Sequence, residues 1–154
     1  MKEIELTKGY KTIVDDDDYE RVSKYNWYYN DGYARRAQKR VSGAKSSKIE
    51  YLARVILGLT DKKLVVDHIN GDKLDNRKQN LRICTQAQNV RNTAVRSSTG
   101  YKGIRKNGGG YVAQIRCDGK WYFSKTFPTM MEAVIMYNEL AKKYHGEFAR
   151  LNEV

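Results

Sequence analysis

The stretch VVDHINGDKLDNRKQNL, residues 65–81, constrains this chain more than any other. Leu64-Val65-Val66 is an apolar run suited to a strand, and it delivers Asp67 and His68 at the strand's end. Ile69-Asn70-Gly71-Asp72 supplies a turn, after which Asp75, Asn76, Arg77 and Asn80 recur at close spacing. A carboxylate and an amide oxygen suit Mg²⁺ or Mn²⁺ and leave most coordination positions to water and phosphate oxygen. A neutral imidazole near its pKa can take a proton from water. Asp67 and Asn80 approach one another only if the segment after the turn folds back. This predicts a hairpin followed by short helical pieces at about 77–82 and 85–92, anchored by Leu74, Leu81, Ile83 and Val90. Arg77 or Arg82 would clamp a phosphate, and Asn76 would tie two backbone segments through its amide. Each residue also has a plain structural reading: Asp67 capping a turn, His68 as a satisfied surface histidine, Asn80 capping a helix.

The rest of the chain gives that cluster a substrate. Lys and Arg number 29 against 18 Asp and Glu, a formal charge of +11, and the excess is spread over the whole length rather than confined to a tail. Such a balance favours a polyanionic partner, most simply nucleic acid, with a merely soluble basic surface as the alternative. Cys84 and Cys117 are the only cysteines, too few for a four-cysteine zinc site and too far apart for a CxxC pair. The opening residues lack the apolar run of a signal peptide, and no stretch approaches transmembrane length, so a reducing cytoplasmic setting is expected.

In the first third, Ile4 to Leu6 and Thr12 to Val14 read as strands about Gly9. Asp15–Asp18 read as the acidic start of a helix over about 17–24. Trp27–Tyr29, Asn30-Asp31-Gly32 and Tyr33–Arg35 read as strand, turn, strand. Residues 35–48 hold six bases and no acid. They predict a basic arm along a phosphate backbone, with Arg35, Arg36, Lys39 and Arg40 as its contacts, and a solvated loop as the alternative. Ile49–Tyr51 returns as a strand, and Leu52, Val55, Ile56 and Leu59 give a short helix one apolar face.

Residues 91–99 are polar and lack an apolar period, so they read as a linker. Beyond them, strands are expected at Ile104, Tyr111–Arg116 and Lys120–Phe127, with Asp118-Gly119 as the hairpin turn. Pro128 and Thr129 open a helix with a face of Ala133, Met136, Tyr137, Leu140, Ala141 and Tyr144. Met130, Met131 and Met136 read as packing groups, and His145 as a cap or packing residue. Lys102, Arg105, Lys106, Gln114, Arg116, Lys120 and Trp121 are the candidates for the sheet's other face.

The pattern DHINGDKLDNRKQNLRICTQAQN resembles the HNH homing endonucleases found in phages, in the subgroup with an APETALA2-like DNA-binding domain. The likeness continues through GYKGI, YVAQI, the helix and GEFARLN almost to the C-terminus. It implies an α+β protein: a ββα-metal (His-Me finger) HNH nuclease domain within residues 1–95, then a three-stranded antiparallel sheet plus helix, AP2/ERF-like, over 97–154. By this resemblance His68 is the general base, Asp67 and Asn80 are the metal ligands, and Asn76 is the structural asparagine of the catalytic set. The implied cofactor is Mg²⁺, with Mn²⁺ as the substitute. The implied partner is double-stranded DNA, bound by a monomer in the cytoplasm of a bacterial host. The resemblance lays the C-terminal sheet in the major groove, with Arg105, Gln114 and Arg116 toward bases and Lys102, Lys106 and Lys120 toward phosphate. The chain departs from the family in YLARVILG, where Ala53 stands in place of an expected histidine. That departure opens a second reading, a weakened or inactive sequence-specific DNA-binding protein derived from such a nuclease.

Overall fold

A computed structural model describes residues 1–38, 47–93 and 97–154. The chain divides into two compact units, Met1–Gln86 and Ala87–Val154.

In the first unit, β1 (Lys2–Glu5) and β2 (Lys11–Val14) pair antiparallel, Lys2 opposite Val14. α1 (Asp16–Val22) follows, with Asp15 at its N-cap position. The Asp15 side chain makes no capping bond there; it accepts instead from the backbone N–H of Lys78 at 2.7 Å. β3 (Tyr28–Asn30) and β4 (Tyr33–Ala37) form the expected hairpin about Asp31 and Gly32, whose φ angles of 53° and 84° match the twist-compatible two-residue turn. β5 (Ile49–Tyr51) adds to β4's other edge and leads into α2 (Leu52–Ile56). Val14, Val22, Trp27, Leu52, Ile56 and Leu81 belong to one apolar core, and Ala53 is buried with them.

β6 (Leu64–His68) and β7 (Leu81–Thr85) form a two-stranded antiparallel ribbon, placing Asp67 opposite Arg82 and His68 opposite Leu81. This corrects the helical piece expected at 77–82: only Lys78–Asn80 turns, as a single 3₁₀ segment, before the chain enters β7. The β6 backbone needs an antiparallel partner, and Leu81–Thr85 meets that need. Leu81 is buried, but Ile83, on the same strand face, is exposed, and Val90 is exposed as well. Two of the four expected anchors are therefore surface residues. α3 (Gln86–Arg91) follows β7 in the chain. The expected linker at 91–99 falls partly on residues 94–96, outside the described residues.

The second unit has β8 (Ile104–Asn107), β9 (Gly110–Cys117) and β10 (Lys120–Phe127) as an antiparallel sheet with β9 central. α4 (Met130–His145) covers one face, burying Ile104, Ala113 and Ile115 against Ala133, Val134 and Tyr137. Gly103, at φ 70°, lies so close to the Tyr137 ring that a Cβ would collide with it. His145 is buried and its Nε2 lies 2.9 Å from the Arg116 carbonyl, a packing role. Met130 and Met136 pack against the core, whereas Met131 points to solvent. Among the described residues no helix is long and apolar enough to cross a membrane.

Thr129 closes α4 with a complete capping box: its hydroxyl accepts from the Glu132 N–H while the Glu132 carboxylate accepts from the Thr129 N–H. T129A is expected to cost about 1 kcal/mol of stability and T129S little, as read by urea unfolding of the second unit's near-UV signal.

Candidate active site and nucleic-acid face

β6 places His68 at its C-terminal end, where the side chain is almost fully buried. Its Nε2 lies 3.2 Å from Asn76 Oδ1. Burial pushes the imidazole below its ordinary pKa of 6.5, against the opposing pull of the Asn76 hydrogen bond and of the Asp67, Asp72 and Asp75 carboxylates. The ring is thus neutral near pH 7, as a proton acceptor must be.

Asn76 is buried and held on three sides. Its Nδ2 donates to Thr12 Oγ1 at 2.8 Å and to the Lys73 carbonyl at 3.4 Å, and its backbone N–H donates to the Ile13 carbonyl at 2.8 Å. The turn between β6 and β7 has little regular structure, and side chains supply its order. Asn80 Nδ2 donates to the Asp75 carbonyl at 2.8 Å, while its Oδ1 accepts from the Asn70 N–H at 2.9 Å. Asp75 takes Arg77 bidentately, at 2.7 and 2.6 Å, which holds its carboxyl below the usual carboxylate range. Lys78, beside Asn80, is gripped by Asp15 through its backbone and by Asp18 at 2.8 Å through its ammonium. Asp15 and Asp18 act here as tethers of the site loop, a role that adjacent acids at a helix start did not signal.

Asp67 is buried and its Oδ2 accepts from Arg82 Nε at 2.8 Å and Nη2 at 2.6 Å. Both arginines expected to clamp phosphate, Arg77 and Arg82, are therefore committed to carboxylates of the site itself. Among the described residues no cluster of three or more His, Cys, Asp or Glu could hold a metal ion. The expected donors, one carboxylate and one carboxamide oxygen with a second lone pair, suit a hard cation that keeps most of its shell as water and phosphate oxygen. They do not make an all-protein cage.

Of the expected basic arm, Arg35 and Arg36 lie among the described residues. Arg35 donates to Asn30 Oδ1 at 2.6 Å and stacks over Tyr51. Arg36 pairs with Glu50 at 2.7 Å and lies 3.7 Å from the centre of the Tyr25 ring. Both are strand residues with partners inside the sheet, because β4 is flanked by tyrosines and by Glu50. Lys39 and Arg40 lie outside the described residues.

In the second unit, strand alternation puts Arg105, Gln114, Arg116 and Trp121 on the face away from α4. Phe123, not singled out in the sequence, joins them opposite Gln114. Trp121 and Phe123 are 52% and 55% exposed, with ring centres 6.1 Å apart. Arg105 lies over Phe123 and Arg116 over Trp121, at 5.6 and 5.9 Å. The KWYF alternation in β10 carried this signal: aromatic groups at i and i+2 on one strand face. Lys106 and Lys120 are exposed but alternate to the α4 side. Lys102 is not a free phosphate contact either. Its ammonium donates to the Arg91 and Thr93 carbonyls at 2.5 and 2.8 Å, and burial lowers its pKa to about 8.

Residues 56–91, which include all four residues expected to form the site, match the family model described as HNH endonuclease. An uncharacterised HNH endonuclease of Acanthamoeba polyphaga mimivirus is 33% identical over 149 residues, spanning 96% of this chain and 77% of that relative. No solved structure matches.

His68 generates a pH signature. A histidine whose folded pKa lies below 6.5 contributes stability that is complete above that pH and is lost as pH falls toward the folded value, because the unfolded chain protonates first. NMR titration should place the His68 midpoint below 6.5, and H68A should flatten the loss of stability of the first unit on acidification from pH 7.

Proposed function

The chain belongs to the HNH endonuclease family, and we propose that it is a metal-dependent DNA endonuclease of the homing type that hydrolyses phosphodiester bonds at a recognised duplex site. The observation that carries this reading is the buried, neutral His68 facing Asn76 within the family-matched segment. The order β6, turn, β7, α3 supports reading this region as a ββα-metal unit. Asp67 and Asn80 would hold Mg²⁺, or Mn²⁺. When bound, that ion supplies charge neutralisation at the scissile phosphate and the departing oxygen. His68 takes the proton from the attacking water as the water oxygen bonds to phosphorus and the bond to the departing sugar oxygen breaks. Asn76 holds the ring in place.

The second unit we read as an AP2-like reader of duplex DNA. Arg105, Gln114 and Arg116 would meet base edges, while Trp121 and Phe123 supply apolar contact. The net positive charge supports a polyanionic substrate; a mobile element of phage type acting as a monomer in a bacterial cytoplasm is our reading of the sequence resemblance alone.

One observation favours a weaker enzyme. Arg82 holds the Asp67 carboxylate that the ion would need, so metal entry must compete with a buried ion pair. Ala53, by contrast, is a core residue whose methyl packs with the apolar cluster of the first unit.

Incubation of supercoiled and site-bearing linear DNA with the full chain and Mg²⁺ or Mn²⁺ should give cleavage that H68A reduces by about 10²–10⁴-fold. Equal nicking by both proteins rejects His68 as the base; tight site-specific binding without cleavage selects the weakened-enzyme reading. W121A and F123A should each weaken duplex binding by about 1.5–3 kcal/mol, the burial energy of such a side chain, in a fluorescence-anisotropy titration, while the exposed-helix variant K142A leaves it unchanged.

A further inference from the structure

We propose that Thr12 is a positioning residue for catalysis: its hydroxyl fixes the orientation of the Asn76 carboxamide and, through it, the tautomer of His68. The proposal deepens the reading of His68 as the base and rests on it. Thr12 lies in β2, outside the family-matched segment and 64 residues before Asn76.

Thr12 is fully buried, and its hydroxyl donates to the Leu74 carbonyl at 2.7 Å. With its one proton spent, Thr12 Oγ1 can only accept from Asn76. The second group on that side of the amide, the Lys73 carbonyl, is an acceptor by nature. The Asn76 NH₂ must therefore face Thr12 and Lys73, and Oδ1 must face His68. A carbonyl oxygen accepts, so His68 Nε2 carries the proton, and the lone pair of the neutral ring resides on Nδ1. A flipped amide would present an N–H to the ring and select the opposite tautomer.

Thr12 cannot swing away from this duty. Ile13 N–H donates to the Leu74 carbonyl at 2.9 Å and the Ile13 carbonyl accepts from Asn76 N–H at 2.8 Å, a parallel bridge that clamps β2 to the site loop. A β-branched side chain in a strand is also stiff about χ1, so the hydroxyl is aimed before Asn76 arrives.

The test uses the full chain with T12V, which keeps shape and removes the hydroxyl, T12A, which removes it without adding bulk, and T12S, which restores it. The first readout is the ¹⁵N long-range imidazole spectrum of His68 at one pH where the ring is neutral. The parent and T12S should show the Nε2–H tautomer, while T12V and T12A shift toward a mixture with Nδ1–H. The second readout is steady-state cleavage with Mg²⁺: T12V and T12A should lower kcat by about 10²-fold at unchanged KM, with T12S recovering most of it. An unchanged tautomer in whichever hydroxyl-free variant remains folded overturns the proposal, as does a loss that T12S fails to rescue. The two readouts separate the two ideas. If the tautomer shifts in T12V while H68A cleaves like the parent, His68 is not the base, yet Thr12 still orients it.

Discussion

The clamp between residues 12–13 and 74–76 is the constraint on which the rest of the site depends. The loop between β6 and β7 buries Asp75, Asn76 and Asn80 without a ladder of regular secondary structure to satisfy them. A buried polar group left unpaired costs about 1–3 kcal/mol, so such a loop holds one shape only if each group finds its partner. Here the partners come in series: Asn80 from Asp75 and Asn70, Asp75 from Arg77, Asn76 from Thr12. Networks of this kind rigidify when complete. The completed loop holds the Asn76 carboxamide against the His68 ring.

Positive charge does two different jobs in this molecule. A net +11 reads as one long basic surface, yet much of the arginine is spent inward. Arg36, Arg77 and Arg82 each pair with a carboxylate, and Arg35 is sandwiched among tyrosines. These pairs stiffen strands and loop more than they attract a polyanion, since a bidentate guanidinium is geometrically committed. Arg105 and Arg116, by contrast, turn outward and sit over exposed aromatic rings. A flat sheet face that leaves Trp121 and Phe123 in water gives up burial energy, roughly 1.5–3 kcal/mol for a Phe-sized side chain. An occupant that offers apolar edges and negative charge recovers that cost.

Local order was legible in the sequence and remote closure was not. Asp31-Gly32 and Asp118-Gly119 announced their hairpins because positive φ is a property of two residues alone. α4 was legible from its period and its Pro-Thr start, as was the strand ending in Asp67 and His68. The helix expected at 77–82 failed because a short mixed run carries no decisive period; pairing with β6 decided it. Arg77, Arg82 and Lys102 look like phosphate-binding groups in the sequence because a charged side chain reads the same whether its partner is a ligand or a neighbouring residue. Thr12, Asp15 and Asp18 carry no sequence signal of their hold on the site loop, since those partners lie some sixty residues on.

The segment matched to the family, residues 56–91, contains Asp67, His68, Asn76 and Asn80. It does not contain what closes them. Without β2 and the start of α1, Asn76 Nδ2 would lose its shorter bond and its backbone N–H would lose the Ile13 carbonyl. Lys78 would likewise lose both its acidic tethers, Asp15 and Asp18. The loop would keep its chemical groups and lose their aim. The structural unit around His68 is therefore larger than the recognisable motif: the motif supplies the His68 ring and the Asn76 carboxamide, and the N-terminal hairpin and helix supply the geometry in which one imidazole nitrogen faces Asn76.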